Sequence, residues 1–346
     1  MSRGLEIFMA LASALQQLPA VSGSTPLGRA VDYMRLSVTD RCNERCLYCL
    51  PEQFQAWMPR GEILSYEEIL AIVAVAVERG FRHFRVTGGE PLLRSGIAAF
   101  LGKLIRTPGV ETVQLSTNGT RLGEMAGTLH EAGLRRLNLS LDALDPGRYR
   151  EITHGEVGPV LEGIRRAKAA GFPSIKLNTV LIRHKNEGEI WPLVEFAAAR
   201  EIPIRFIELM PVSLTEMLTE ENFLPVGEVM AMLAERDKLI PLEAKMGHGP
   251  ARYYRLKKTG AVVGFIGALT NLHFCESCNK VRLTADGHLR PCLGHHGEYD
   301  LKPALRPAVD KARLREGLDL ALAEKPPEHE FRNNWQPQRI MTAIGG

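Results

Sequence analysis

Six short apolar, β-branched runs recur through the first two thirds of the chain, and their alternation with helical patterns limits the fold more than any other feature. The runs are YMRLSVT at 33–39, HFRVTG at 83–88, VQLSTN at 113–118, RLNLSLD at 136–142, IKLNTVLI at 175–182 and IRFIELM at 204–210. Helical periodicity falls near 65–80, 94–106, 121–133, 156–170 and 187–200. In the first of these, Ser65 and Glu68 have capping-box spacing and Gly80 stands where a left-handed C-terminal cap belongs. Strand and helix in strict alternation require parallel strands joined by right-handed crossovers.

A doubly wound open sheet and a β/α barrel both satisfy that pattern. The distribution of polar groups favours the barrel. Cysteines follow the first run, TGGEP the second, STNG closes the third, SLD the fourth, and Glu208 and Met210 lie at the end of the sixth. A barrel assembles its site from all the strand ends, whereas a doubly wound sheet concentrates it at one switch point. The expected fold is α/β, a partial (β/α)6 TIM-like barrel. After about residue 215 the pattern changes to two hairpins, ARYYRLKKTGAVVGFIG and KVRLTADGHLRPCL, then charged helical segments near 301–324. The expected organisation is an N-terminal extension over 1–26, the barrel over 27–215 and a C-terminal region over 216–346.

A chain of 346 residues, 45% hydrophobic, can bury a sizeable core. Lys plus Arg number 43 against 40 Asp plus Glu, so no broad basic face for nucleic acid or an anionic membrane is expected. No apolar run is long enough to span a bilayer, and Glu6 interrupts the start where a signal peptide would carry only positive charge. All six cysteines fall into two groups of three, Cys42, Cys46, Cys49 and Cys275, Cys278, Cys292. That grouping fits metal binding in a reducing compartment better than disulfides, and points to the cytoplasm.

Three thiolates within eight positions leave one coordination position open. A zinc ion would need a distant fourth ligand, whereas a cubane iron–sulfur cluster would present one free iron to something that is not protein. The second triplet, C-x2-C-x13-C, poses the same choice, and the chain has no seventh cysteine. Gly88, Gly89, Glu90 and Pro91 form a strand-end loop whose glycines permit close approach to the backbone.

With its C-x3-C-x2-C triplet and the TGGEP loop, the chain resembles radical S-adenosylmethionine (SAM) enzymes. With the second triplet, RFIELMPV, CESCNKVRLTADGHLRPCL and the closing Gly345–Gly346, it resembles the GTP 3',8-cyclase (molybdenum cofactor biosynthesis protein A) family from residue 27 onward. The resemblance implies two [4Fe-4S] clusters, one on each cysteine triplet. The first would bind SAM, with Tyr48, Gly88, Gly89, Glu90, Ser140 and Met210 around it. It also implies radical cyclisation of GTP to 3',8-cyclo-7,8-dihydro-GTP, the first step of molybdenum cofactor biosynthesis. Cleavage of SAM would give a 5'-deoxyadenosyl radical that takes the hydrogen from C3' of GTP.

A triphosphate carries about four negative charges and calls for preorganised cations, Arg above all. Positions matching the family are Arg35, Arg85, Lys176, Arg205, Lys280 and Arg282, with Ser116 beside the nucleotide where Thr is more usual. Arg35, Lys280 and Arg282 match the positions closest to catalysis, and Gly345 and Gly346 match a tail that enters the active site. Three residues depart from the family pattern: His83 for Lys, Lys280 for Arg, and Glu44 for an apolar residue inside the first cysteine loop. The resemblance further implies an electron donor, a homodimer and a downstream cyclic pyranopterin monophosphate synthase as partners. Two alternatives have distinct requirements: a radical SAM peptide-modifying enzyme with an auxiliary cluster would need an acidic or extended peptide groove instead of an anion clamp, and a two-zinc structural or nucleic-acid-binding module a basic face.

Overall fold

The computed structural model describes residues 28–54, 56–243, 246–333 and 335–345; the expected extension over 1–26 and Gly346 lie outside them. The six runs form strands β1 (Tyr33–Ser37), β2 (His83–Thr87), β3 (Thr112–Thr117), β4 (Arg136–Ser140), β5 (Ser174–Leu181) and β6 (Ile204–Glu208). Consecutive strands pair in parallel throughout. The connecting helices are α1 (Tyr66–Glu78), α2 (Ile97–Ile105), α3 (Leu122–Glu131), α4 (Pro146–Thr153), α5 (Val157–Ala169) and α6 (Ile190–Ala198).

Local chemistry explains the boundaries. At the start of α1 the Glu68 amide donates to Ser65 Oγ (3.1 Å) and the Ser65 amide to Glu68 Oε2 (2.6 Å), which completes the capping box. Gly80 beyond its end has φ +93°. Ile69, Ile72, Val73, Val75 and Ala76 form the helix face that is buried in the main core. Helix α4, which the periodicity did not suggest, begins with Asp145 accepting from the Arg148 amide (2.8 Å) and Pro146 in the first turn.

Beyond β6 come α7 (Val226–Ala234), β7 (Leu239–Pro241), β8 (Arg252–Leu256), β9 (Val262–Ile266), β10 (Lys280–Leu283), β11 (His288–Arg290), β12 (Tyr299–Asp300), α8 (Lys311–Ala323) and α9 (Met341–Ile344). Both expected hairpins are present, as β8/β9 and β10/β11. They join the same sheet at its two sides: β9 pairs parallel with β6, and β10 pairs parallel with β1. The twelve strands run β12-β11-β10-β1-β2-β3-β4-β5-β6-β9-β8-β7. The six-stranded parallel sheet is therefore widened to eight parallel strands, and the hairpin of the second cysteine triplet lies directly against β1. Among the described residues no helix is long and apolar enough to cross a membrane.

Candidate active site

The strand ends enclose a cavity of about 360 Å³ whose walls include all six cysteines. The first triplet follows β1 on a loop hung from the end of β2. Gly89 N donates to Thr39 O (2.7 Å) and Glu90 N to Arg41 O (2.7 Å). A Cβ on Gly88 would lie 2.4 Å from Thr39 O, and one on Gly89 2.3 Å from Arg41 O. The close approach that these glycines permit is thus made first by the chain's own backbone, and it fixes where the cysteine loop starts.

Glu90 is buried and fully engaged. Its carboxylate accepts from the Leu92 amide (2.9 Å), Thr117 Oγ1 (2.7 Å) and the Asn118 amide (2.7 Å), which ties the end of β2 to the end of β3. Asn118 Nδ2 in turn reaches Cys42 Sγ at 3.9 Å. Burial raises Glu90 to about 7. Glu44 is raised to about 7 by the same cause and accepts from Tyr149 Oη at 2.7 Å, so the polar residue in the cysteine loop is anchored to α4. Tyr48 donates to Asp142 at 2.7 Å. Burial, helped by the Glu90 and Glu44 charges, pushes the Cys42 thiol up to about 12, and burial also raises Cys46 and Cys49. Ser140 and Met210 line the same cavity, as does Ser116.

The second triplet has a different neighbourhood. Lys325 Nζ lies 3.7 Å from Cys278 Sγ, and the His329 amide donates to Cys275 Sγ at 3.4 Å. Burial acts to raise the Cys278 thiol, but the Lys325 and Lys280 charges outweigh it and bring it below its ordinary value. Burial raises Cys275 and Cys292. Among the described residues no three His, Cys, Asp or Glu side chains are grouped to hold a metal ion.

Five cations line the cavity: Arg35, Arg85, Arg205, Lys280 and Arg282. Strand register puts three of them side by side, since Arg35 on β1 is paired with Arg282 on β10 and with Arg85 on β2. The row ends at Gln114 on β3, whose Oε1 accepts from Arg85 Nη2 at 3.0 Å. Like charges directly opposite one another destabilise a sheet. Burial is the largest cause lowering Arg35, followed by Arg282 and Arg85; burial lowers Arg282 and Arg205 to about 10. Burial also lowers Lys280 to about 8.

Lys176 is set apart from this row. It lines a smaller recess with Arg85, Arg136 and Arg205, donates to the Met246 carbonyl, and is lowered by burial to about 8. The neighbouring loop carries His248, which stacks on His83 with ring centroids 3.6 Å apart, while Lys280 donates to its carbonyl (2.6 Å).

The C-terminal segment closes the site. Met341 and Thr342 line the cavity, and Gly345 O accepts from Arg282 Nη1 at 2.5 Å. Gly345 has φ +78°, and a Cβ there would meet Ser37 Cβ at 2.9 Å and Thr87 Cγ2 at 3.0 Å, so only glycine fits between the ends of β1 and β2. Arg339 holds the segment through Asp286 (3.0 Å). Sequence reasoning passed over Gln114, Asn118, Asp142, His248 and Lys325. Asn118 and Asp142 could have been found, because they stand in the strand-end stretches STNG and SLD.

Residues 36–197 match the radical SAM superfamily and residues 202–331 match Molybdenum Cofactor Synthesis C. The chain is 43% identical over 320 residues to a GTP 3',8-cyclase of Pelotomaculum thermopropionicum, covering 92% of this chain and 98% of that one. It is also 43% identical over 326 residues to GTP 3',8-cyclase 2 of Pseudomonas aeruginosa, covering 93% and 98%. The structure of Streptococcus suis SuiB bound to the precursor peptide SuiA superposes with TM-score 0.59 at 14% identity, over 92% of this chain and 68% of that one, which is a likeness of fold. With both halves matched in order and full-length relatives above 40% identity, the chain belongs to the GTP 3',8-cyclase family of the radical SAM superfamily.

Proposed function

We propose that this protein converts GTP to 3',8-cyclo-7,8-dihydro-GTP, the first step of molybdenum cofactor biosynthesis, as a SAM-dependent radical cyclase. The observation that carries the GTP site is the row Arg282, Arg35, Arg85. Three guanidinium groups in register on neighbouring buried strands repel one another, and a polyanion seated against them removes that repulsion.

The residues present fit the two clusters. Each triplet lines the cavity with three thiols and has an amide or ammonium donor near a sulfur. Cys42, Cys46 and Cys49 would hold the cluster that binds SAM, and Cys275, Cys278 and Cys292 the second. Held there with SAM, the first cluster would supply one-electron radical chemistry directed at C3' of the substrate.

The chain's own residues bind, orient and enclose. Gly88 and Gly89, with Tyr48, Ser140 and Met210, form the SAM side of the cavity, and Glu90 keeps the ends of β2 and β3 in register. Arg35, Arg85, Arg205, Lys280 and Arg282 take the phosphates, with Ser116 as a hydroxyl donor and Lys176 at the far end of the charged region. Arg35, Lys280 and Arg282 are the groups assigned to contact the reacting nucleotide. Gly345 caps the cavity and excludes water. A polyanion beside Lys280 and Lys176 favours their charged forms, so binding is expected to bring them back toward ordinary ammonium behaviour. An external electron donor, a downstream cyclic pyranopterin monophosphate synthase, a homodimeric state and a cytoplasmic location belong to this proposal, as does the division into an extension to 26, a barrel to 215 and a C-terminal region.

The test is anaerobic reconstitution with iron and sulfide, followed by SAM, dithionite and GTP. The expected result is about eight irons per chain, two cubanes of four, with GTP-dependent deoxyadenosine and a cyclised nucleotide. Deoxyadenosine without cyclised GTP would overturn the substrate.

A further inference from the structure

We propose that Lys325 is the charge-compensating residue of the second cysteine triplet, a fixed buried cation that raises the reduction potential of the cluster held there. This rests on the reading that Cys275, Cys278 and Cys292 hold a [4Fe-4S] cluster. Lys325 lies just beyond α8 and is 4% exposed. A lysine so deeply buried is ordinarily paired with an anion. Among the described residues its hydrogen-bond partners are Lys280 O (2.7 Å), Pro291 O (2.7 Å) and Cys278 Sγ (3.7 Å), with no carboxylate among them.

The two carbonyls are significant for where they lie. Lys280 is two residues after Cys278, and Pro291 immediately precedes Cys292. One ammonium group therefore ties together the two arms of the hairpin that carry the ligands, and presents its remaining donor to a ligand sulfur. The anion that this cation lacks is the thiolate-bound cluster itself. Cluster potentials respond to net charge and to hydrogen bonds to sulfur. Reduction adds one negative charge, which a fixed neighbouring cation stabilises, so the potential rises. Lys280 and Arg282 on β10 and Arg29, whose Nη1 donates to Cys275 O (2.7 Å), add positive charge on the other sides.

Lys325→Gln keeps an amide donor and removes the charge; Lys325→Arg keeps the charge. Both proteins and the parent are reconstituted anaerobically, their iron counted, and both clusters titrated potentiometrically by electron paramagnetic resonance. For Lys325→Gln the expected result is a second cluster at lower potential, by at least a tenfold fall in its reduced-to-oxidised ratio, about 59 mV for one electron. The first cluster should not move, and Lys325→Arg should follow the parent. A Lys325→Gln protein that binds about four irons while Lys325→Arg binds about eight would show the same charge requirement as cluster retention. An unchanged second-cluster potential, or equal shifts in both clusters, would overturn the proposal. A parent protein with only about four irons would instead overturn the cluster reading on which it stands.

Discussion

Around Cys42, Cys46 and Cys49 the nearby charged groups are the acids Glu44, Glu90 and Asp142, whereas around Cys275, Cys278 and Cys292 the cations Lys325, Lys280 and Arg29 outnumber the one acid, Glu328 beside Cys275. The donor set is the same, three thiols lining the cavity. The surroundings differ because the first loop is anchored to α4 through Glu44 and sits beside Glu90, which joins the ends of β2 and β3, while the second is tied to the segment just beyond α8 through a lysine that donates to carbonyls. Acids near a cluster oppose an added electron and cations favour it. Two sites that read alike as cysteine triplets therefore differ in the charge that packs behind them.

The largest expected effect breaks the two sites apart directly. Cys42→Ala should reduce deoxyadenosine formation to background, while Cys292→Ala should retain SAM cleavage and lose the cyclised nucleotide; product chromatography decides, and cyclised product from Cys292→Ala would remove the second triplet from catalysis. Next comes Gly345→Ala. Its methyl group would press on Ser37 and Thr87, and overpacking of about 1–3 kcal/mol should unseat the tail and lower cyclisation about tenfold or more without loss of iron. A variant with parental turnover would show that the seated tail is not needed. Arg282→Ala belongs to the second site's side of the cavity and should weaken GTP binding about 10–100-fold, as for loss of charged hydrogen bonds of 1.5–3 kcal/mol; equilibrium binding with SAM omitted measures it, and an unchanged Kd would take Arg282 out of the phosphate row.

The smallest effect concerns the anchor of the tail. Burial acts to raise Asp286, but hydrogen bonds from His288, Arg339 and Thr284 outweigh it and hold the carboxyl well below the usual range. A carboxyl depressed in the folded state contributes stability above its unfolded value of about 3.9 and loses that contribution as pH falls toward its folded value. The gap in unfolding free energy between the parent and Asp286→Asn, read from denaturant titrations, should thus be widest near neutral pH, about 1 kcal/mol, and shrink as pH falls below about 4. A gap that widened on acidification would contradict the assignment.

The six parallel strands, the two hairpins and both triplets were legible because each is a local pattern of residue types. Helix α4 was missed although Asp145 and Pro146 carry its start signal, since its short polar sequence has little apolar periodicity. The pairing of β10 with β1 was not legible, because it joins residues 280 and 33 across a separation that no local pattern records. That pairing turns three scattered arginines into a row. Lys325 escaped notice for a related reason: a single lysine after a charged helix resembles any surface residue until packing shows what surrounds it.

The pairing of β1 with β10 also sets a timetable. A chain synthesised at roughly 5–20 residues per second takes roughly 12–50 s to pass from the first strand to its second neighbour. During that interval one side of β1 has unsatisfied amides and carbonyls, the kind of exposed strand that recruits wrong partners. The sheet can be extended from β2 onward as each crossover emerges, yet the guanidinium row stays incomplete until the hairpin carrying the second triplet arrives. Arg35 therefore spends the early life of the chain beside Arg85 alone, and the charged wall of the cavity is among the last parts of the molecule to be assembled.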